Sequence, residues 1–362
     1  MKKIIIILMC LTMLCGCSDY AEINDMVIVS GIIIDYKDNM FTINTEAIVN
    51  DKESRIETYE TTSPSIQEGL SKISEMSNKK LFLPHLKSLI LTKDAIKSDA
   101  NYYEYFLRDP KSKMNFNIYV IDSSIKDELF KINDKDGVSM YLEKMIDFNK
   151  EVFSSSHSLT FLELMYKRYE RGIDQIYPEI DIKENDDKKT IYLKDLLVFD
   201  DENNEVILEQ NESIYYNLIS NTLDKTTLEI DCDKDKFYIT INDYKTKYKW
   251  KDNKFQINIK LDTKINTYNC KYDLNKKESV NKLNNLIDKE IKNNIMNLIN
   301  IEKDKKVDFI GIGNYIYKHD KNYFNFEKNN WNNNLKNIDV KVNSKSTISS
   351  IGEMRKWKKM KR

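Results

Sequence analysis

The sequence predicts an α+β fold in which mixed, largely antiparallel sheets pack with helices over two to three domains. Three observations lead to this prediction. Apolar runs and two-residue alternation, both typical of strands, occur in each half of the chain. One stretch in the last third has apolar residues at spacings of three and four, which is typical of a helix. The length of 362 residues corresponds to two or three domains of about 100–200 residues each.

Strands and helices alternate in the first half. Residues 26–34 form an apolar run, and residues 41–49 alternate apolar and mostly polar side chains. With a turn between them, this pattern predicts a hairpin. Pro64 suits the first turn of a helix, and Thr160 with Glu163 has capping-box spacing at the start of another. Further strands are expected at 86–91 and 116–121, with a helix carrying Tyr102, Tyr105 and Phe106 between them.

Strands dominate the second half. A pair is expected at 191–199 and 206–210, followed by a short helix at 213–219. Further strands are expected at 227–232, 237–242, 244–250 and 255–268, a helix at 280–299, and a last strand near Val340 and Val342. The polar stretch 185–189 suggests a domain boundary. The predicted plan is a signal peptide (1–16), an N-terminal α/β domain (17–188), a C-terminal α/β region that could hold two sub-domains (189–352) and a basic tail (353–362).

The N-terminus has the pattern of an export signal. Two lysines precede an apolar run, residues 4–14, which is shorter than the ~20 residues that span a bilayer. Gly16 then precedes Cys17. This order resembles the lipobox of bacterial lipoproteins, in which the cysteine sulfur is lipidated and becomes the mature N-terminus. We therefore expect Cys17 to be a lipid anchor. The alternative is a secreted protein with a chance cysteine.

Composition excludes some classes of function. The 57 basic and 58 acidic residues give a net charge of −1, which argues against a nucleic-acid partner. Two cysteines, Cys232 and Cys270, lie in the body of the chain. Two free thiols buried in strands are the favoured interpretation, and a disulfide, which would stabilise by about 3–4 kcal/mol, is the alternative.

No catalytic, cofactor or metal site is predicted. The histidines His85, His157 and His319 are far apart and lack zinc-site spacing. His157 lies between two serines, but adjacency in sequence does not make a catalytic triad. Gly311 and Gly313 form a lone GxG, for which a strand bulge or close backbone packing is the simpler explanation than a phosphate loop.

Two segments suggest contacts instead. The C-terminal residues 355–362 place six basic side chains around Trp357. Such a tail suits an anionic membrane surface, and a solvated tail is the alternative. The aromatic group Tyr102, Tyr103, Tyr105 and Phe106 could be an exposed anchor, but a place in the core is favoured.

Taken together, these residues resemble the Ger(x)C family, the GerAC-like C subunits of bacterial spore germinant receptors. The similar motifs occur in order from the lipobox to about Gly352: the start at 16–19, the strand 27–35 closing on Asp35, the segment 84–91, the motif 107–110, the segment opening at Val198 and Phe199, and the signature 308–317 followed by Trp331. Two departures stand out, since Ser18 replaces the family's usual Trp and Ile33 replaces a Gly.

The resemblance implies a lipoprotein on the outer face of the spore inner membrane, assembled with integral-membrane A and B subunits and without enzymatic activity. It implies a functional role for Cys17 alone. Two alternatives remain open. One is a stand-alone ligand-binding lipoprotein, and the other is an envelope hydrolase that uses His157 or His85.

Overall fold

The computed structural model describes residues 25–50, 54–98, 100–109, 112–132, 135–186, 188–200, 202–327 and 331–350. The predictions on the lipobox, on Cys17 and on the tail 353–362 lie outside these residues. None of the helices within the described ranges is long and apolar enough to cross a bilayer.

The first sheet contains nine strands within these ranges. They are β1 (Met26–Lys37), β2 (Met40–Asn50), β3 (Ser54–Ser63), β4 (Lys80–Phe82), β5 (Ser88–Thr92), β6 (Asn117–Ile121), β7 (Ile176–Asn185), β8 (Lys188–Phe199) and β9 (Glu205–Leu208). Their order is β3-β2-β1-β5-β6-β7-β8-β9, with β4 beside the start of β1. The pairs β1–β5, β5–β6 and β6–β7 are parallel, and the outer pairs on both sides are antiparallel.

Helices cover both faces of the first sheet. They are α1 (Ile66–Ser77), α2 (Lys93–Lys97), α3 (Glu104–Arg108), α4 (Lys126–Leu129), α5 (Val138–Val152) and α6 (Phe161–Tyr169). One core joins Ile32 and Ile34 to apolar side chains of α1, α3 and α6. The opposite core joins Ile33 to α5. Because both faces are buried, β1 is apolar at nearly every position rather than at alternate ones.

The second sheet has the order β10-β11-β12-β13. Its strands are β10 (Thr227–Cys232), β11 (Asp235–Lys251), β12 (Lys254–Tyr268) and β13 (Asp339–Ser350). The first two pairs are antiparallel, and β12 and β13 run parallel. The remaining helices belong to this half: α7 (Gln210–Ser220), α8 (Lys277–Lys305), α9 (Ile312–His319), α10 (Lys321–Glu327) and α11 (Trp331–Asn334).

Helix α8 packs against the second sheet through one apolar stripe. Its buried side chains are Leu283, Ile287, Ile291, Ile295, Leu298 and Ile299. Each such side chain contributes about 1.5–3 kcal/mol when fully buried. The same helix covers the outer edge of β13. The Asp288 Oδ1 atom accepts the Ser346 main-chain N–H at 2.7 Å, and the Asn284 Oδ1 atom accepts that of Ile348 at 3.1 Å. These bonds occupy edge donors that would otherwise be open to another strand.

The α+β fold class with mixed sheets is confirmed, as is the first hairpin, in which β1 and β2 pair from Val27↔Val49 to Lys37↔Met40. The capping box at Thr160 and Glu163 is present. Tyr102 and Phe106 lie in the core, as favoured. Strand β3 was not predicted, because its alternating residues are mostly polar.

Three further expectations are corrected. Residues 237–250 form one strand, since a register shift between Ile241 and Asp243 continues the ladder instead of ending it. Cys232 and Cys270 form a disulfide, because the end of β10 approaches the segment after β12 to a Cα–Cα distance of 6.1 Å, within the range that a disulfide bridges. Gly311 and Gly313 lie at the start of helix α9 rather than in a strand.

At the polar stretch where a domain boundary was suggested, β7 and β8 pair as a hairpin, with Glu184 opposite Lys189 and Asn185 opposite Lys188. The first sheet therefore continues past residue 188. Side chains of β8 and β9, including Leu196, Val198 and Leu208, also pack into the core of the second half. The division at residue 188 stays a prediction.

Candidate functional site

Cys17, the predicted lipid anchor, lies outside the described ranges, so its role stays a prediction. Within these ranges, the most organised polar site is built from the signature motif at residues 308–313. Its centre is the Asp308 carboxylate, which is completely buried.

Four N–H groups converge on Asp308. Its Oδ1 atom accepts the main-chain N–H groups of Gly311 at 2.8 Å and Ile312 at 2.7 Å. Its Oδ2 atom accepts the N–H of Gly313 at 2.6 Å and the indole N–H of Trp331 at 2.8 Å. The first-turn N–H groups of a helix have no partner within the helix. Asp308 supplies those partners at the start of α9, so its carboxylate occupies the place that a phosphate takes in a phosphate loop.

The two glycines allow this close packing. Gly311 has φ +82°, in the left-handed region, which other residues adopt at a cost. A Cβ atom on Gly313 would lie 2.5 Å from the Trp331 ring. The motif therefore needs glycine at Gly311 for its backbone and at Gly313 for contact with the indole. The close-packing interpretation of these glycines is confirmed.

Glu302 of α8 is the second buried acid of this site. Its Oε1 atom accepts the Ile310 N–H at 2.5 Å, and its Oε2 atom has no hydrogen-bond partner within the described residues. Burial, and then the nearby Asp308 charge, raise the pKa of Glu302 well above its usual range. Burial also raises the pKa of Asp308, to about 7. Glu302 is therefore held as a neutral acid, and Asp308 is the group that accepts the four N–H hydrogen bonds.

The signature motif also contacts the segment between α6 and β7. The Asp174 main-chain N–H donates to the Asp308 carbonyl at 2.8 Å, and the Asp308 N–H donates to the Asp174 Oδ2 atom at 2.6 Å. The Asn314 N–H donates to the Gly172 carbonyl at 2.7 Å. A Cβ atom on Gly172 would lie 2.7 Å from the Gly313 carbonyl carbon. The segment and the motif thus meet backbone to backbone.

This arrangement holds polypeptide segments together. The polar atoms of Asp308 face main-chain and indole donors, and no nucleophilic side chain adjoins them among the contacts described. A shallow cavity of about 400 Å³ lies beside Gly172, Asp174 and Trp331. No group of histidine, cysteine or acidic side chains that could hold a metal ion occurs in the part of the chain that the structure describes.

Asp35, the acid that closes the first strand of the family pattern, is also structural. Its carboxylate pairs with Lys126 and accepts the Thr92 hydroxyl at 2.7 Å. Only 4% of Asp35 is exposed. It therefore ties β1 to the end of β5 and to α4.

The histidines lie apart and pack against different aromatic rings. His157 is buried against Tyr216, and its Nδ1 atom lies 3.0 Å from the Asn217 Oδ1 atom. Burial lowers the pKa of His157 to about 3, so the ring is neutral at physiological pH. Its hydrogen bond goes to Asn217 rather than to a neighbouring serine. His85 lies near Phe82, and His319 stacks on Tyr315.

An open groove of about 630 Å³ is lined by residues that include Phe41, Asn101, Glu104, Tyr105 and Arg108. Its position places Arg108 and Asp109 of the motif at 107–110 on the surface. Pro110 of that motif lies outside the described residues.

The family resemblance included Asp308, the two glycines and Trp331 in one signature, but sequence reasoning missed Glu302 and Asp174. Glu302 follows the apolar stripe of α8. An acidic residue at that position indicates that the buried face of the helix has ended. Asp174 lies in a loop without regular spacing. The signal that could identify Asp308 is its position three residues before Gly311, which suits a side chain that caps the start of a helix.

Two models of protein families match the chain. The model described as "Spore germination protein N-terminal domain" matches residues 19–182, and the model described as "Spore germination B3/ GerAC like, C-terminal" matches residues 194–352. A solved structure described as "Crystal Structure of the GerBC protein" is similar to this chain, with a TM-score of 0.54 and 14% identity over 88% of this chain and 97% of that chain. That similarity shows a shared fold. No curated protein sequence matches the chain.

Proposed function

Since the chain belongs to the Ger(x)C family of spore germination proteins, we propose that it is the C subunit of a nutrient germinant receptor. It is lipid-anchored through Cys17 and non-catalytic, and it acts at the outer face of the spore inner membrane. Its partners are the membrane lipid and the integral-membrane A and B subunits.

One observation carries the proposal. The N-terminal and C-terminal family models follow each other in order over residues 19–182 and 194–352, directly after the cysteine of the lipobox. A domain pair of this kind behind an export signal is expected of a protein that works on the outer side of a membrane.

The anchor would hold the body close to the bilayer. Asp25, where the described chain begins, is eight positions beyond Cys17, and an extended chain of that length spans at most about 28 Å. Such a tether raises the effective concentration of the body near membrane-embedded partners. The start of β1 then lies within that distance of the lipid.

The buried polar site supports a role in assembly rather than in catalysis. The Asp308 N–H donates to the Asp174 Oδ2 atom across the two family regions, while Glu302 and Asp308 accept backbone N–H groups within the C-terminal one. A junction of this kind ties the two family regions together, so that a contact on one region would affect the other.

The experiment compares Cys17→Ala with the matched control Ser18→Ala in spores. We expect the Cys17→Ala chain to keep its leader or to appear in the soluble fraction, with loss of nutrient germination. The control should carry a lipidated N-terminal cysteine by mass spectrometry and should copurify with two integral-membrane proteins. Normal germination with an unmodified thiol at Cys17 would refute the proposal.

A stand-alone ligand-binding lipoprotein is the second candidate, favoured by the open groove at Arg108. Its volume of about 630 Å³ lies in the range of small-molecule sites. The two candidates differ in their partners. If the detergent-extracted protein purifies alone and Arg108→Ala abolishes binding of a small solute, the second candidate replaces the first.

A further inference from the structure

A polar cavity of about 370 Å³ lies where the regions matched by the two family models meet. Arg168, Asp174 and Gln175 line it from the N-terminal region, and Phe199 and Asp200 line it from the C-terminal one. Its volume lies in the range of small-molecule sites, which often form between domains. Asp174 also bonds to the signature motif, so an occupant of this cavity would contact the junction of the two regions.

Arg168 is the cation that lines this cavity. Its guanidinium carbon lies 4.4 Å from the centroid of the Tyr103 ring. Burial opposes its charge, and Tyr102 and then Tyr103 raise its pKa. Arg55 and Arg108 pair with glutamates, whereas the contacts described for Arg168 are with tyrosines. A guanidinium in such surroundings can bind the carboxylate of a ligand through two parallel hydrogen bonds.

Asp174 and Asp200 bring negative charge to the cavity. The Asp174 Oδ2 atom accepts the Asp308 N–H at 2.6 Å. The Asp200 Oδ1 atom accepts the N–H groups of Glu202 at 2.9 Å and Asn204 at 2.7 Å. Main-chain bonds therefore hold both carboxylates in place. The cavity has a cationic part and an anionic part, which suits a molecule that carries both charges.

Two lysines lie near this cavity without lining it. The Lys97 Nζ atom is 5.8 Å from the centroid of the Phe199 ring and pairs with Glu205 at 2.7 Å. Burial raises the pKa of Asp200, the hydrogen bonds of its turn lower it, and Lys305 lowers it further. The lining itself holds one guanidinium and two carboxylates, so the acidic part is not cancelled there.

Gln175 brings an acceptor to the same cavity. Its Oε1 atom is buried and has no hydrogen-bond partner within the described residues. Leaving a buried amide oxygen unpaired costs free energy that a donor would recover. Gln175 lines the cavity, so a ligand N–H placed there would pair with this oxygen once the amide turned toward it.

We propose that this cavity binds a small molecule with a carboxylate at one end and a protonated amine at the other. The carboxylate pairs with Arg168. The amine faces Asp174 and Asp200 and donates to the Gln175 oxygen. Phe199, which is half-buried, contacts the hydrocarbon between the two ends. The site is independent of the lipid anchor and of the A and B subunits, so it goes beyond the proposed function.

The probe is 6-aminohexanoate, which carries the two charged groups at opposite ends of a five-methylene chain. Isothermal titration calorimetry measures its binding to the detergent-solubilised mature chain, against detergent blanks. Hexanoate and hexylamine each lack one charged group. We expect both to bind at least about tenfold more weakly than 6-aminohexanoate, because each leaves one part of the cavity unpaired. Three equal affinities, or no binding of any probe, would overturn the proposal.

Arg168→Gln removes the cation. We expect it to weaken the binding of 6-aminohexanoate at least about tenfold and to leave that of hexylamine unchanged. Arg108→Gln is the matched control, because Arg108 lines the separate groove of about 630 Å³, and its affinity for 6-aminohexanoate should equal that of the parent. Loss of binding in Arg108→Gln rather than in Arg168→Gln would place the molecule in that groove and overturn the proposal.

Gln175→Leu tests the site at its other end. It removes a buried oxygen that has no partner within the described residues, so the urea midpoint should equal or exceed that of the parent. The affinity for 6-aminohexanoate should nevertheless fall at least about threefold, because the amine loses an acceptor. This variant decides the question if Arg168→Gln misfolds. Unchanged affinity in folded Gln175→Leu protein would overturn the proposal.

Discussion

Asp174 and Asp308 exchange two hydrogen bonds, one from each main-chain N–H, at 2.8 Å and 2.6 Å. Asp174 belongs to the region matched by the N-terminal family model and Asp308 to the region matched by the C-terminal one. The signature motif therefore bonds to the region matched by the N-terminal family model as well as to its own helix. A change at this junction should affect the whole body rather than one loop.

The close approach at Gly172 gives the first prediction. Gly172→Ala places a Cβ atom 2.7 Å from the backbone of Gly313 at φ +66°, so strain and overlap add, and we expect a loss of about 2–4 kcal/mol of unfolding free energy. Gly311→Ala is the matched control. It has a similar positive φ, but its Cβ atom meets side chains rather than backbone, Ile173 at 3.0 Å and the Asn314 Cβ atom at 3.8 Å.

Gly311→Ala should therefore lower the unfolding free energy by about 1–2 kcal/mol, which is the cost of the left-handed backbone conformation alone. Urea unfolding of the two variants and the parent measures both losses. Equal losses would show that the backbones of the two segments do not meet as described.

Glu302 gives a prediction on pH. Its folded-state pKa is raised by burial and by Asp308, so the native state holds a proton that the unfolded chain releases above pH ~4.5. The unfolding free energy therefore falls as pH rises above that value, by at most about 1.4 kcal/mol per pH unit for one proton.

Glu302→Gln removes this titration while it keeps the oxygen that accepts the Ile310 N–H. We expect the variant to lose less stability than the parent between pH 5 and pH 8, and to be the more stable protein at pH 8. Urea midpoints at the two pH values measure this. Glu290→Gln, on the same helix, is the control and should follow the parent. The prediction would be contradicted if the stability of the parent rose between pH 5 and pH 8 and that of Glu302→Gln changed by the same amount.

Reduction of the Cys232–Cys270 disulfide gives the third prediction. The bond closes a loop with a sequence separation of 38, for which the chain-entropy relation predicts about 4 kcal/mol. We expect a reducing agent to lower the urea midpoint of the parent. The double variant Cys232→Ala/Cys270→Ala should be insensitive to the reducing agent. If reduction leaves the parent's midpoint unchanged, the two cysteines do not stabilise the fold.

Asp288 gives the fourth prediction. Its Oδ1 atom accepts the Ser346 N–H and the hydroxyls of Ser344 and Ser346. Asp288→Ala should lower the unfolding free energy by about 1–3 kcal/mol, since these donors lose their acceptor. It should also speed amide exchange at Ser346 in hydrogen-exchange mass spectrometry.

The conservative variant Asp288→Asn keeps an acceptor oxygen at the same place. We expect it to restore most of the protection of Ser346. Unchanged exchange in Asp288→Ala would indicate that the edge of β13 is protected by other means.

Local pattern predicted most of the regular elements. The stripe of α8 and the capping box at Thr160 were readable because each depends on residues a few positions apart. Strand β3 was missed because its residues look like a polar loop until β2 pairs with them. The β7–β8 turn looked like a linker for the same reason, since pairing between distant segments leaves little trace in composition.

The polar site around Asp308 could be predicted from the sequence only in part. Gly311 and Gly313 were expected to mark close packing, and they do. Their partners Trp331 and Gly172 lie 18 and 141 residues from Gly313 along the chain, so no spacing rule connects them. The disulfide was left open in the sequence because the approach of Cys270 to β10 depends on how the second sheet folds.

Strand β1 is an interior strand, with β2 on one side and β4 and β5 on the other. A mechanical load applied through Asp25 would pull β1 along its own axis, so the ten paired positions with β2 would resist in shear together rather than peel one after another. A body attached to a surface by its first strand is thereby suited to withstand tension from that surface without unfolding.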